Sequence, residues 1–141
     1  MSEPILPIRG GCLCGGVRYE VTEPFVSAGY CHCMRCQRRS GTAASVSASV
    51  VPGSLRIVAG AELVECWTPP DGYRKCFCSR CGGALWSSHP AEEGRLSVRL
   101  GTVDGDPGIR PGYRQYVAYA APWEPIPDDG LPRYDERRPA G

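Results

Sequence analysis

Apolar and polar residues alternate along much of this chain. Val17-Arg18-Tyr19-Glu20-Val21 repeats with period two, the pattern of a strand that buries one face and exposes the other. Comparable short runs predict strands over residues 26–30, 44–51, 55–58, 62–67, 73–77, 84–87, 96–100 and 115–119. Glycine (18) and proline (14) interrupt the sequence at short intervals, so no long helical period develops. The single helix candidate is a turn or two over 34–39. Short strands divided by turn signals predict a mainly β domain. Residues 122–141 carry five prolines and many charges and predict an extended tail laid over the surface or frayed. With no internal repeat and no composition break, the expectation is one domain over 1–141, its core at about 10–121 and its tail at 122–141.

Composition narrows the class. A chain of 141 residues with 42% hydrophobic and 22% charged residues can bury a core of its own. No apolar run reaches the roughly 20 residues of a membrane helix, and the N-terminus lacks a basic start followed by an apolar stretch. The expectation is a cytoplasmic protein with no membrane partner. A net charge of +1, with dispersed arginines, offers no basic stripe for nucleic acid.

The nine cysteines change the picture most. An odd count without a visible secretion signal argues for metal ligands or catalysts over a disulfide framework. Three clusters stand out: Cys12-Leu13-Cys14, Cys31-His32-Cys33-Met34-Arg35-Cys36, and Cys78-Ser79-Arg80-Cys81. Two thiolates two or three positions apart can reach one tetrahedral zinc, because a tight turn points both sulfurs inward. Glycines follow where such turns need them, at Gly15-Gly16 and Gly82-Gly83. Cys12, Cys14, Cys78 and Cys81 make a complete four-sulfur set, expected to be a closed structural site.

Cys31, Cys33 and Cys36 offer only three thiolates, which leaves one coordination position for water or substrate. Two alternatives stay open: a second closed site, its fourth ligand Cys66 or Cys76, and an empty redox pair at Cys33/Cys36. Otherwise Cys66 and Cys76 read as small buried residues. His32, between two ligands, reads as a packed histidine in preference to a general base, and His89 is a weaker candidate still. The three tryptophans read as core or tail anchors, one of which could wall a pocket.

In order and spacing these pieces resemble the glutathione-dependent formaldehyde-activating enzyme family, to which centromere protein V also belongs. The matching residues are Gly10-Gly11-Cys12-Leu13-Cys14-Gly15, then Cys31-His32-Cys33-Met34-Arg35-Cys36 with Arg38 and Arg39, then Phe77-Cys78-Ser79-Arg80-Cys81-Gly82. The close Pro122-Trp123-Glu124-Pro125-Ile126-Pro127, followed by Leu131-Pro132, also matches. The resemblance implies an Mss4-like fold of small coiled antiparallel β-sheets around zinc sites. It implies a structural zinc on Cys12, Cys14, Cys78 and Cys81 and a catalytic zinc on Cys31, Cys33 and Cys36, hence two zincs per chain. It further implies glutathione as co-substrate and a carbon–sulfur lyase that joins glutathione to formaldehyde. Three features depart from the pattern: the chain is shorter than the founding formaldehyde enzymes, Gln37 stands directly after Cys36 where many members carry arginine, and Cys66 and Cys76 are additional.

The expected chemistry is addition of a small-molecule thiol to a small carbonyl compound. Arg35, Arg38 and Arg39 lie on the turn that bears the central ligands, and their planar forks suit the carboxylates of glutathione. The competing readings are a non-catalytic zinc module that binds protein and a thiol-based redox protein.

Overall fold

The computed structural model describes residues 4–139. Residues 1–3 and 140–141, at the ends of the expected 1–141 unit, therefore lie outside it. Two sheets carry the chain. The smaller is antiparallel and contains β1 (Ile8–Gly11), β2 (Arg18–Val21) and β5 (Leu55–Ala59), in the order β1-β2-β5. The larger adds β3 (Ser27–Cys31), β4 (Ser45–Ser49), β6 (Val64–Trp67), β7 (Arg74–Cys78), β8 (Ala84–Ser88), β9 (Leu96–Arg99) and β10 (Arg114–Gln115). Its order is β10-β3-β4-β9-β8-β7-β6, antiparallel throughout except for the parallel β10-β3 pair. The helix α1 (Met34–Ser40) leaves β3 and returns to β4.

The alternation in β2 does what period two requires: Tyr19 and Val21 are fully buried while Arg18 and Glu20 face outward. Tyr19 joins the two sheets. Its ring meets Trp86 of β8 edge to face at 5.9 Å, and its hydroxyl bonds Thr102 Oγ1 at 2.7 Å. Gly10 of β1 passes directly over this contact, where a Cβ would come within 2.4 Å of both the Tyr19 hydroxyl and the Thr102 carbonyl oxygen. Only glycine allows so close a crossing. Val17, Leu85 and Val98 complete the fully buried centre.

The structure departs from the sequence expectations at four places. The strand β1 (Ile-Arg-Gly-Gly) is short and half glycine, so it gives no periodic signal of its own. The run expected over 62–67 begins as a 3-10 turn, Ala61–Leu63, and only Val64–Trp67 is strand. The run expected over 115–119 shrinks to two strand residues and a 3-10 turn, Val117–Tyr119. Most consequentially, Cys66 and Cys76 form a disulfide. The two residues stand directly opposite in the β6–β7 ladder with Cα atoms 4.0 Å apart, and Cys66 is exposed. Neither is therefore a free small apolar residue, and neither is available as a fourth ligand to the central cluster.

The C-terminal stretch folds back on β10. Arg114 N–H donates to the Pro132 carbonyl, and Tyr134 N–H donates to the Arg114 carbonyl. The buried Arg114 guanidinium pairs with Asp129 at 2.9 Å, lies 4.0 Å from the centre of the Tyr30 ring and reaches His32 Nε2 at 3.2 Å. Asp129 is held below the usual carboxylate range by the Leu131 N–H and by Arg114. Its ion pair is thus present above the unfolded Asp value of about 3.9 and is lost as pH falls through the lower folded value. Arg114→Ala should destabilise the protein by about 2–3 kcal/mol in denaturant titrations, less than a fully buried pair because Asp129 is partly solvated. Cleavage within 122–139 should rise in the variant at neutral pH, and in the parent protein only under strong acid.

Candidate metal centres and the adjoining pocket

Cys12 and Cys14 occupy the turn that follows β1, and Cys78 and Cys81 bracket the turn between β7 and β8. Each turn closes on backbone bonds, Gly15 N–H to Cys12 O and Gly82 N–H to Cys78 O. Gly15 (φ 77°) and Gly82 (φ 76°) take the left-handed conformation that these turns demand. All four Sγ atoms lie within 4.8 Å of one another, with Cys12–Cys14 at 3.6 Å and Cys14–Cys78 at 3.9 Å. Tetrahedral zinc with bonds of about 2.3 Å needs sulfurs about 3.8 Å apart, so the donor set fits that ion. Val17 N–H donates to Cys12 Sγ at 3.2 Å, and Gly16 N–H and Arg80 Nε donate to Cys14 Sγ at 3.4 and 3.3 Å. The Gly16 N–H and then Arg80 push the Cys14 thiol down to about 6. Backbone N–H groups of Gly83 and Cys14 lower Cys81 in the same way. A cation here meets two sulfurs, Cys14 and Cys81, already inclined to lose their protons.

The second cluster sits where β3 turns into α1. Cys31 ends the strand, Cys33 caps the helix by accepting the Cys36 N–H at 3.4 Å, and Cys36 lies in the first helical turn. Their Sγ atoms also fall within 4.8 Å of one another. The thiols of Cys31 and Cys33, then the Ser45 hydroxyl and Arg99, draw Cys36 well below the ordinary thiol range. Bonds to Cys33 and Cys36, with burial, push Cys31 above it. Among the described residues no fourth cysteine, histidine or carboxylate joins this group. The closed four-cysteine alternative fails for that reason, since both spare cysteines are joined to each other.

The predicted arginines separate. Arg39 is half-buried and donates to Ser87 Oγ (2.9 Å), Cys76 O (2.7 Å) and Trp86 O (3.0 Å), which ties α1 to β7 and β8. Arg35 pairs with Asp71 at 2.7 Å. Arg38 has no hydrogen-bond or ion-pair partner among the described residues. All three line a cavity of about 560 Å³ between α1 and the outer face of β6, β7 and β8. That cavity also takes Lys75, which the sequence reading passed over although it is the chain's only lysine. Strand parity could have found it: with Cys76 and Cys78 inward, Lys75 and Phe77 must face out. Burial lowers the Lys75 ammonium, and the nearby Cys36 sulfur opposes that shift.

His32 and Gln37 lie elsewhere. His32 is buried under Arg114, and burial with that neighbouring charge lowers its basicity. Gln37 donates to the carbonyls of His32 and Tyr119, so it spends its side chain joining α1 to the turn after β10.

Comparison with known proteins identifies a family and a fold. The sequence pattern of a family described as glutathione-dependent formaldehyde-activating enzyme matches residues 7–119. A Halomonas elongata protein, named only provisionally as a glutathione-dependent formaldehyde-activating enzyme, is 30% identical over 105 residues, 70% of this chain and 67% of its own. A crystal structure of a Rhodobacter sphaeroides protein superposes with a TM-score of 0.58 at 24% identity, covering 89% of this chain and 98% of that one. That likeness concerns the fold alone. If the four-sulfur set ties the chain's first turn to the β7–β8 turn through a metal, Cys78→Ser should lose one zinc per chain by elemental analysis. Chelator should then lower the melting temperature of the parent protein far more than that of the variant.

Proposed function

Since the chain belongs to the glutathione-dependent formaldehyde-activating enzyme family, we propose that it adds a thiol, glutathione or a close relative, to a small carbonyl compound in the cytoplasm. The observation that carries this reading is the three-cysteine cluster of Cys31, Cys33 and Cys36 with a lysine- and arginine-lined cavity beside it. A zinc ion held by those three sulfurs would supply Lewis acidity and keep an incoming thiol deprotonated at neutral pH. Cys12, Cys14, Cys78 and Cys81 would hold a second zinc whose role is to keep the fold closed.

The chain's own groups then have separate tasks. Cys36 is the thiol of the cluster drawn down most strongly, by its neighbours Cys31 and Cys33 and then by the Ser45 hydroxyl and Arg99. Lys75 and Arg38 present cations to the carboxylates of the thiol substrate. Arg39 fixes α1 against the sheet, so the cluster and the cavity keep one relative position. The thiol sulfur bonds to the carbonyl carbon, and the carbonyl oxygen gains the proton, which balances the addition without any oxidant. A protein-binding zinc module would have no use for a cavity beside an incomplete ligand set.

Zinc content per chain, measured with and without millimolar glutathione, tests the reading. The expectation is about two zincs, one of which becomes exchangeable when the thiol is added. Cys33→Ser should keep the fold, lose the exchangeable zinc and slow formation of the thiol–formaldehyde adduct by more than about 100-fold, as followed by NMR. Two zincs indifferent to thiol would instead mark a structural module.

A further inference from the structure

The cavity beside α1 combines large apolar side chains, Met34, Trp67 and Phe77, with charged side chains of one sign only, Arg35, Arg38, Arg39 and Lys75. Its floor is built from cross-strand pairs on the outer face of the large sheet, Trp67 opposite Lys75 and Phe77 opposite Ala84. Met34 and Arg38, four positions apart, come from the same side of α1 and form the facing wall. Trp67 is 59% and Met34 47% exposed, so two large apolar side chains of the lining stand uncovered. At about 560 Å³ the space falls within the roughly 300–1,000 Å³ of ordinary small-molecule sites.

Charge is distributed just as unevenly. The whole chain has a net charge of +1, yet four of its cations line this one cavity and no carboxylate does so among the described residues. Arg35 and Arg39 already have partners, which leaves Lys75 and Arg38 as the lining cations without a hydrogen-bond or ion-pair partner among the described residues. Lys75 is half-buried on β7, which lies between β6 and β8, so its ammonium has less freedom than a surface lysine and less water to compete with.

We propose that this pocket is the site for an organic acid with an apolar body, its carboxylate held by Lys75 and Arg38 and its body laid along Trp67, Phe77 and Met34. The chemical role of such a ligand rests on the thiol–carbonyl reading above: it would be the non-reacting part of the thiol substrate, whose carboxylate the same two cations hold. Binding itself requires no metal and no thiol, so the two ideas can fail separately. On this assignment Lys75 and Trp67 determine specificity and do not take part in bond making.

Calorimetric titration of the zinc-loaded protein with three thiol-free probes tests the assignment. The probes are 4-phenylbutyrate, butyrate, which lacks the apolar body, and 4-phenylbutanol, which lacks the charge. The expected result is saturable millimolar or tighter binding of 4-phenylbutyrate, with the other two weaker by about tenfold or more. Lys75→Gln should bring 4-phenylbutyrate to the level of the alcohol, and Trp67→Ala should bring it to the level of butyrate. Both side chains project from the outer face of the sheet, and the comparison of probes on the parent protein needs neither variant. Equal binding of all three probes, or no saturable binding of 4-phenylbutyrate, overturns the assignment. A protein that binds 4-phenylbutyrate but keeps its zinc indifferent to glutathione sustains the pocket and removes the proposed reaction.

Discussion

Four sulfurs from two distant turns meet within 4.8 Å, and most of the molecule is arranged around that meeting. Cys14 and Cys78 are 64 positions apart in sequence, so joining them closes a loop that contains β2 to β7 and α1. Closing so long a loop costs chain entropy, and burial of small strands alone offers limited return. Two of the four thiols are biased toward thiolate, which leaves like charges in contact unless a cation lies between them. The backbone donors at Val17, Gly16 and Gly83 are the outer layer that such a site needs to orient its ligands. Once these turns are joined, the small sheet is placed on the large one, and Tyr19 can pack between Trp86 and Thr102.

The second cluster depends on that frame without belonging to it. The helix α1 buries no residue of its own, so it is not a core element. It acts as a carrier: one side supplies Cys36 to the cluster, and the side bearing Met34, Arg35, Arg38 and Arg39 supplies the wall of the cavity. What holds the carrier in place is polar. Arg39 anchors it to β7 and β8, and Gln37 anchors it to the far end of β10. The disulfide between Cys66 and Cys76 fastens the outermost strand, β6, which bears Trp67, to its neighbour. Cluster and cavity thus share supports from both sides of the helix. That is the arrangement expected where chemistry at one point must be matched to recognition at another.

The sequence by itself determined the mainly β class, most of the strands, the short helix and the membership of both sulfur clusters. It could do so because strand alternation, glycine-flanked turns and the cysteine spacing within each turn are local properties, and the two distant pairs of the first cluster could be joined because each supplies half of one four-sulfur set. The Cys66–Cys76 pairing was also within reach, since the two lie symmetrically about Asp71 in a Pro-Pro-Asp-Gly turn, but only after a hairpin in that register had been assumed. Lys75 was hidden for the same reason, because its face follows from the inward direction of its cysteine neighbours. Tertiary structure alone decided which of three similar arginines would be spent on the fold, that Gln37 would be a tie, and that Trp67 would stand over a cavity. Those outcomes depend on partners 36 to 82 residues away, Asp71, Ser87 and Tyr119 among them, and no local pattern specifies a contact across that distance.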